Sequence, residues 1–440
     1  MPLTRGRMEL DVSYKTKTPP MGWNSYDCFL GSVNEEQVKN NADYMAKHLK
    51  HAGYEYIVID IHWYSETEGT MATALGDVIA DDGRPPVRMD KYGRLWPNLT
   101  KFPSSAGEAG FKPLADYIHS LGLKFGIHIM RGVHIGLRGK GYKIYGTDVL
   151  FDEIYDDNAG CDWSTDFLGV KADNPASQAW YDSQFELFAQ WGIDFVKVDD
   201  ASYPVWHAEI EFIDNAIKKT GRDILLSLSP GPSVLSEANF YKKHANMWRI
   251  SGDFWDGWSF LRESFDFLDK WHSFVGEGSW PDADMIPFGH IAQVSSLRGV
   301  TPRYTRFSRD EQQTLMTLFC IARSPLMLGC DMPQNDEWTL SLISSPDILA
   351  LNQRGAGSRP LFRDDDIQVW TTQVDGENYF AIFNIDYREL VADIAIPNAC
   401  VNGYTVYDVW NKTFLNDVTD KITIPVSSHA CRLLKLLEKS

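Results

Sequence analysis

A chain of 440 residues, 44% hydrophobic and 23% charged, has the material for one large buried core and a smaller second one. Its formal net charge of -18 repels phosphate backbones and anionic lipid surfaces, which argues against nucleic acid and membrane partners and favours uncharged ligands. The amino-terminal MPLTRGRMELDVSYK lacks the apolar stretch of a secretory signal, and the six cysteines form no CxxC pair, so a cytoplasmic chain without a disulfide framework or zinc site is expected.

From residue 14 to 353, short apolar runs alternate with longer segments of helical pattern. In chain order the runs are PMGWNSY, YEYIVID, KFGIHIM, FVKVDD, ILLSLSP, MWRISGD, EGSWPDADMI and PLMLGCDM. Eight such units predict a TIM (β/α)8 barrel. A doubly wound open sheet is the alternative, but no GxGxxG follows the first run, and acids and tryptophans recur at the run ends throughout. Between the first two runs, NEEQVKNNADYMAKHLKHAG places Val38, Ala42, Met45 and Leu49 on one helical face and closes at Gly53. Beyond Arg354 the pattern changes to short alternating strands, IQVWTTQV, ENYFAIFNI, LVADIAIP, YTVYDVW and ACRLLKLL, with turn pairs Asp375-Gly376 and Asn402-Gly403. A carboxy-terminal antiparallel β-sandwich over 358–440 is expected, with Gln353 to Ser358 as the linker.

Two runs carry charges that a barrel core would not select for stability. In FVKVDD, strand alternation puts Lys197 and Asp199 on one face and Asp200 on the other; in MWRISGD, Arg249, Ser251 and Asp253 share a face. Each set has a plain structural reading as a buried ion pair. Together they supply two carboxylates, each with a cationic neighbour, at the ends of separate strands, which is the equipment of glycoside hydrolysis. Lys197 would keep Asp199 ionised as the nucleophile, leaving Asp253 as the acid.

Of the 15 tryptophans, Trp23, Trp63, Trp248, Trp255 and Trp280 lie at predicted strand ends as candidate faces for a sugar ring, Trp23 the best placed. His62, His128 and His134 have no HExxH or comparable spacing, so no metal is expected. GLRGKGY has no Ser or Thr after Lys140 in the register of a phosphate-binding loop.

The ordered blocks PPMGWNSYDCF, YEYIVID, FGIHI, FVKVDD, MWRISGD, GSWPDADM and SPLMLGCDM, with SSHACRLLKL near the end, resemble glycoside hydrolase family 27. The resemblance implies a retaining enzyme without metal or organic cofactor, acting as an α-galactosidase, α-N-acetylgalactosaminidase or β-L-arabinopyranosidase. It also implies that Asp199 is the nucleophile, Asp253 the general acid/base, and Asp60 and Lys197 the ligands of the axial O4 and neighbouring O3. Arg249 would lie near O2, Trp23 would line the sugar pocket, and Asp282 would support the site.

The chain departs from that family at three places. Ala201 stands where secretory members often carry a cysteine two residues after the nucleophile, and Ser229 where animal members carry a glutamate near O2. Ile61 replaces the second of two consecutive acids that end the second strand of α-galactosidases, the one that helps hold the C6 hydroxyl. An aliphatic side chain accepts no hydrogen bond, and burying that hydroxyl unpaired costs roughly 1 to 3 kcal/mol. β-L-Arabinopyranose has the ring stereochemistry of α-D-galactopyranose without the exocyclic CH2OH. The expected activity is therefore release of terminal β-L-arabinopyranose from small glycosides or oligosaccharides, with weaker α-galactosidase activity. This requires the chain to leave the strand at Ile61, because strict alternation would turn it away from Asp60. An α-galactosidase with Ile61 as a packing residue is the alternative, and a non-catalytic sugar-binding barrel fits poorly with both acids present. The oligomeric state is left open, a homo-oligomer included.

Overall fold

A computed structural model describes residues 15–65, 87–293 and 301–439; the amino-terminal stretch from which no leader is expected lies outside them, apart from its last residue. The eight expected runs form eight parallel strands: β1 (Met21–Asn24), β2 (Tyr56–Ile59), β3 (Lys124–Met130), β4 (Phe195–Asp199), β5 (Leu225–Leu228), β6 (Met247–Arg249), β7 (Trp280–Asp282) and β8 (Leu326–Leu328). Strands β1 to β7 pair in sequence order, and β8 pairs with β1. The ring closes just beyond β7, where Ile286 bridges Leu328 in parallel and its N–H donates to the Met327 carbonyl at 2.7 Å. The result is a (β/α)8 barrel with helices outside it.

The first long helix, Glu35–His48, begins in a reciprocal cap between Asn34 and Gln37. Val38, Ala42, Met45 and Leu49 are fully buried, as their spacing requires. The helix ends at His48, and one 3-10 turn, Lys50–Ala52, leads to Gly53, whose φ of +104° only glycine adopts easily. An insertion after β3 adds the short strands Val133–His134, Tyr155–Gly160 and Phe167–Val170, which pair antiparallel at the carboxyl end of the barrel.

The linker expected over residues 353–358 does not exist as a loop. The last barrel helix, Pro346–Arg354, is joined through Gly355 alone to β9 (Ala356–Arg363). Gly357 and Ser358 of that segment belong to an edge strand with two register shifts, in which Pro360 needs no second ladder partner. The other strands of this domain are β10 (Ile367–Val374), β11 (Glu377–Asn384), β12 (Leu390–Ala395), β13 (Tyr404–Asp408), β14 (Thr413–Phe414), β15 (Lys421–Val426) and β16 (Cys431–Glu438). They make a six-stranded sheet in the order β9-β10-β11-β16-β13-β14 and a two-stranded sheet of β12 and β15. Asp375 and Gly376 both have positive φ, +52° and +87°, and close the two-residue hairpin between β10 and β11.

The larger sheet is buried on both faces. One face, with Val369, Phe380, Ile382 and Leu434, packs on Ile394, Ile422 and Ile424 of the smaller sheet. The other, with Trp370, Ala381, Phe383 and Leu433, belongs to the same hydrophobic cluster as the barrel. Polar contacts fix that junction: Thr314 Oγ1 donates to the His429 carbonyl at 2.7 Å, His429 Nδ1 lies 2.8 Å from Glu311, and its ring stacks on Trp258 with centroids 3.7 Å apart.

Strand β1 approaches β2 closely at Gly22, where an added Cβ would lie 2.5 Å from the Tyr56 carbonyl oxygen. Gly22→Ala is expected to cost about 1 to 3 kcal/mol by overpacking and to lower the midpoint of thermal unfolding. An unchanged midpoint would mean that the two strands part without penalty.

Candidate active site

Inside the barrel, period-two alternation sorts side chains by depth. Tyr56, Phe195, Leu225, Met247 and Trp280 form an apolar floor. One step further along the same strands come Val58, Lys197, Ser227, Arg249 and Asp282, and beyond these Asp60, Asp199 and Ser229. A cavity of about 530 Å³ opens at this carboxyl end, the functional face of such barrels.

Lys197 is the centre of the deep half. Its Nζ donates to Asp60 Oδ2 at 2.9 Å, and the same oxygen accepts from Asn24 Nδ2 at 2.9 Å, while Oδ1 accepts the Ile61 N–H at 2.8 Å. Burial alone would raise the Asp60 pKa, but Lys197 and His128 outweigh it and hold the carboxyl below its ordinary value. Asp199 follows the same rule more strongly: burial opposes ionisation, yet Lys197 and then His128 keep its pKa well below the carboxylate range. His128 Nε2 lies 2.8 Å from Asp199 Oδ2. Asp199 Oδ1 makes no hydrogen bond of good geometry among the described residues, although the Ser229 hydroxyl lies near enough to help lower the pKa. The chain turns at once after Asp199: Asp200 has φ +57° and points away, onto Arg131 at 2.5 Å.

The second charged group is built on Arg249. Its Nη2 contacts Asp284 Oδ2 at 2.6 Å, donates to the Gly252 carbonyl at 2.6 Å, and lies 3.4 Å from Asp253 Oδ1. Both Arg249 and Asp284 are almost fully buried, whereas the Asp253 side chain is 71% exposed. Burial pushes the Asp284 carboxyl up to about 7 against the pull of Arg249. The contact is an ion pair whose acid is easier to protonate than an exposed aspartate.

The cavity brings together six of the eight residues singled out in the sequence: Asp60, Ile61, Lys197, Asp199, Arg249 and Asp253 line it. Strand β2 ends at Ile59, residues 61–64 turn, and His62 takes φ +69°, which is the break that lets Ile61 face the cavity beside Asp60. Trp23 and Asp282 are not in its lining. Asn24, bonded to Asp60, occupies the inward position of β1, so alternation sends Trp23 outward to the helices, where Nε1 donates to the Cys330 carbonyl at 2.6 Å. Asp282 lies one layer down and accepts the Asp284 N–H at 2.9 Å. Trp63, Trp248 and Trp280 are likewise fully buried, and of the five candidate tryptophans only Trp255 reaches the cavity.

Sequence reasoning missed Tyr26, Asp27, His128 and Asp284. Tyr26 and Asp27 line the cavity from a helical turn, Tyr26–Phe29, that follows β1. His128 was weighed only as a metal ligand, although alternation from Gly126 already turns it inward. Asp284, with φ +90°, lies past the end of β7, where no strand rule reaches.

Removing Asp284 would leave Arg249 buried without its partner. Asp284→Leu is expected to destabilise the protein by about 3 to 5 kcal/mol, while Asp253→Ala, at an exposed carboxylate, changes stability by less than about 1 kcal/mol. Denaturant titration of both variants measures the contrast, and equal effects would mean that Arg249 finds another anion.

Comparison with known proteins agrees with this architecture. The family model described as Alpha galactosidase A matches residues 18–174 and 169–354, and that of the Alpha galactosidase C-terminal beta sandwich domain matches residues 364–436. A GH27 β-L-arabinopyranosidase from Geobacillus stearothermophilus is 45% identical, with a TM-score of 0.90 covering 96% of this chain and 97% of that one. A variant of that enzyme, solved in complex with arabinose, gives a TM-score of 0.91 at 45% identity, covering 96% and 98%. Alpha-galactosidase 2 of Arabidopsis thaliana is 26% identical over 435 residues, 96% of this chain and 90% of the plant protein. Through both its barrel and its β-sandwich, the chain belongs to the alpha galactosidase A family, glycoside hydrolase family 27.

Proposed function

We propose that this glycoside hydrolase is a retaining β-L-arabinopyranosidase that removes terminal sugars from small glycosides, with weaker α-galactosidase activity. The observation that carries the substrate assignment is the position of Ile61, which lines the cavity next to the fully bonded Asp60 carboxylate. Asp60 and Lys197 bind the hydroxyls that the two sugars share. Ile61 presents only carbon where galactose requires a partner for its C6 hydroxyl. The similarity to an arabinopyranosidase at 45% identity supports this reading. Six free cysteines support a reducing, cytoplasmic location.

Asp199, kept ionised by Lys197 and His128, attacks the anomeric carbon. The glycosidic C–O bond breaks as Asp253 gives its proton to the leaving oxygen. A sugar ester of Asp199 results. Water then attacks the same carbon, Asp253 takes its proton, and the Asp199 carboxylate is released. The recessed position of Asp199 shields the ester from stray water, and the exposure of Asp253 gives it access to both the leaving group and the incoming water.

The substrate assignment is tested by kcat/KM on an aryl β-L-arabinopyranoside and the matching α-D-galactopyranoside. Wild type is expected to favour the arabinopyranoside, and Ile61→Asp to move the ratio toward the galactoside by roughly five- to 150-fold. A wild type that favours the galactoside, or a ratio that Ile61→Asp does not move, returns the assignment to a plain α-galactosidase.

The nucleophile assignment predicts a pH effect. The Asp199 pKa lies below the ordinary carboxylate value because of its neighbours, so the residue stays ionised as pH falls through about 4. His128→Phe removes one of those neighbours, the Asp199 pKa rises, and the acid limb of kcat/KM moves to higher pH. A limb that stays in place would detach His128 from the ionisation that controls turnover.

A further inference from the structure

The cavity is charged at depth, above its apolar floor, and differs at its mouth. Exposure grades Asp60, Asp199 and Asp253 by depth: the side chain of Asp60 is 2% exposed, Asp199 13% and Asp253 71%. A glycon bound over Asp60 and Asp199 therefore sends its leaving oxygen outward past Asp253. The walls met beyond that point are Trp255, two residues after Asp253, and Trp163 on the loop between strands Tyr155–Gly160 and Phe167–Val170.

We infer that Trp163 and Trp255 form the leaving-group subsite, and that it takes a neutral aglycone with a flat apolar face. Trp255 is a braced wall. It packs against the core, and the Arg303 guanidinium, locked to Asp256 at 2.6 Å, lies 5.8 Å from its ring centroid. Trp163 is 36% exposed, large for an indole that no core position demands. Its loop nonetheless starts from a fixed point, because Cys161 is buried and its thiol lies near the carboxylate of Asp200, the residue after Asp199. An exposed indole two residues from that point is a surface prepared for a ring.

Charge selects among rings. Among the described residues the two cations of the cavity are committed, Lys197 to Asp60 and Arg249 to Asp284, while the mouth holds the carboxylates of Asp162 and Asp253. Anionic leaving groups meet repulsion there, and neutral ones meet two indole faces. An aromatic ring and the C–H face of a neutral sugar share this chemistry.

The inference rests on the assignment of Asp253 as the acid, and not on which sugar fills the floor. The test is kcat/KM for wild type, Trp163→Ala and Trp255→Ala on four substrates of the preferred glycon: the glycosyl fluoride, a neutral aryl glycoside, a carboxyaryl glycoside and a neutral disaccharide. Each tryptophan variant is expected to lower the ratio of ring-bearing substrate to fluoride by roughly two- to tenfold. Such a ratio, taken on one preparation, is insensitive to loss of folded enzyme. A drop on the aryl glycoside identifies an aromatic aglycone and a drop on the disaccharide a sugar. Wild type should hydrolyse the carboxyaryl glycoside more slowly than the neutral one. Unchanged ratios for both variants overturn the subsite, and equal rates on the two aryl glycosides overturn the charge selection. Asp253→Ala keeps the two readings apart, because fluoride leaves without an acid: a loss equal on fluoride and aryl glycoside rejects Asp253 as the acid whatever the tryptophans do.

Discussion

One ammonium group governs the carboxyl end of the barrel. Lys197 sits where two buried carboxylates, Asp60 and Asp199, would otherwise face each other across the strands. Without a cation, like charges at that depth force one acid to take a proton. With it, both remain anionic, one as a fixed acceptor and the other as a group with an oxygen left unbonded among the described residues. Burying a charge is tolerated only when it is paired and hydrogen-bonded. The site meets that condition twice, at Lys197 with Asp60 and at Arg249 with Asp284. The pairing also explains why the polar layer rests on an apolar one. Tyr56, Phe195, Leu225, Met247 and Trp280 close the barrel from below and keep water from the ion pairs.

The eight strands were legible because each run alternates along the chain, and alternation alone places Lys197, Asp199 and Arg249 inside. Ile61 was legible through its neighbour, since an aliphatic residue beside an acid at a strand end breaks a pattern. What could not be read lies past the strand ends, where side-chain direction depends on backbone turns. Asp284 and Asp200 both take positive φ, and one turns toward the cavity while the other turns away. Trp23 shows a different failure. Its place at a strand end did not fix its direction, and the inward position of β1 belongs to Asn24, as the bond to Asp60 shows. The β-sandwich was legible in its regular hairpins and illegible in β9, whose composition is that of a loop.

In the proposed mechanism, depth and exposure divide the labour between two acids. Asp199, proposed to stay charged and form an ester, is held by neighbours deep in the cavity, and Asp253, proposed to exchange protons with solvent, stands at the rim. The aromatic and aliphatic layer beneath the cavity fits the proposed action on terminal sugars, since it offers no path for a sugar to continue beneath the bound unit.

Gly355 is the whole of the joint between barrel and sandwich. A single residue between a helix and a strand allows no swivel, and the larger sheet gives one face to each half of the molecule. The sandwich is therefore part of the enzyme's frame and not a tethered accessory. Cutting the chain there would uncover Trp370, Phe383 and Leu433 on one piece and their packing partners on the other. Neither fragment would be a module to borrow: shuffling between relatives has to exchange the sheet together with the helix it lies on.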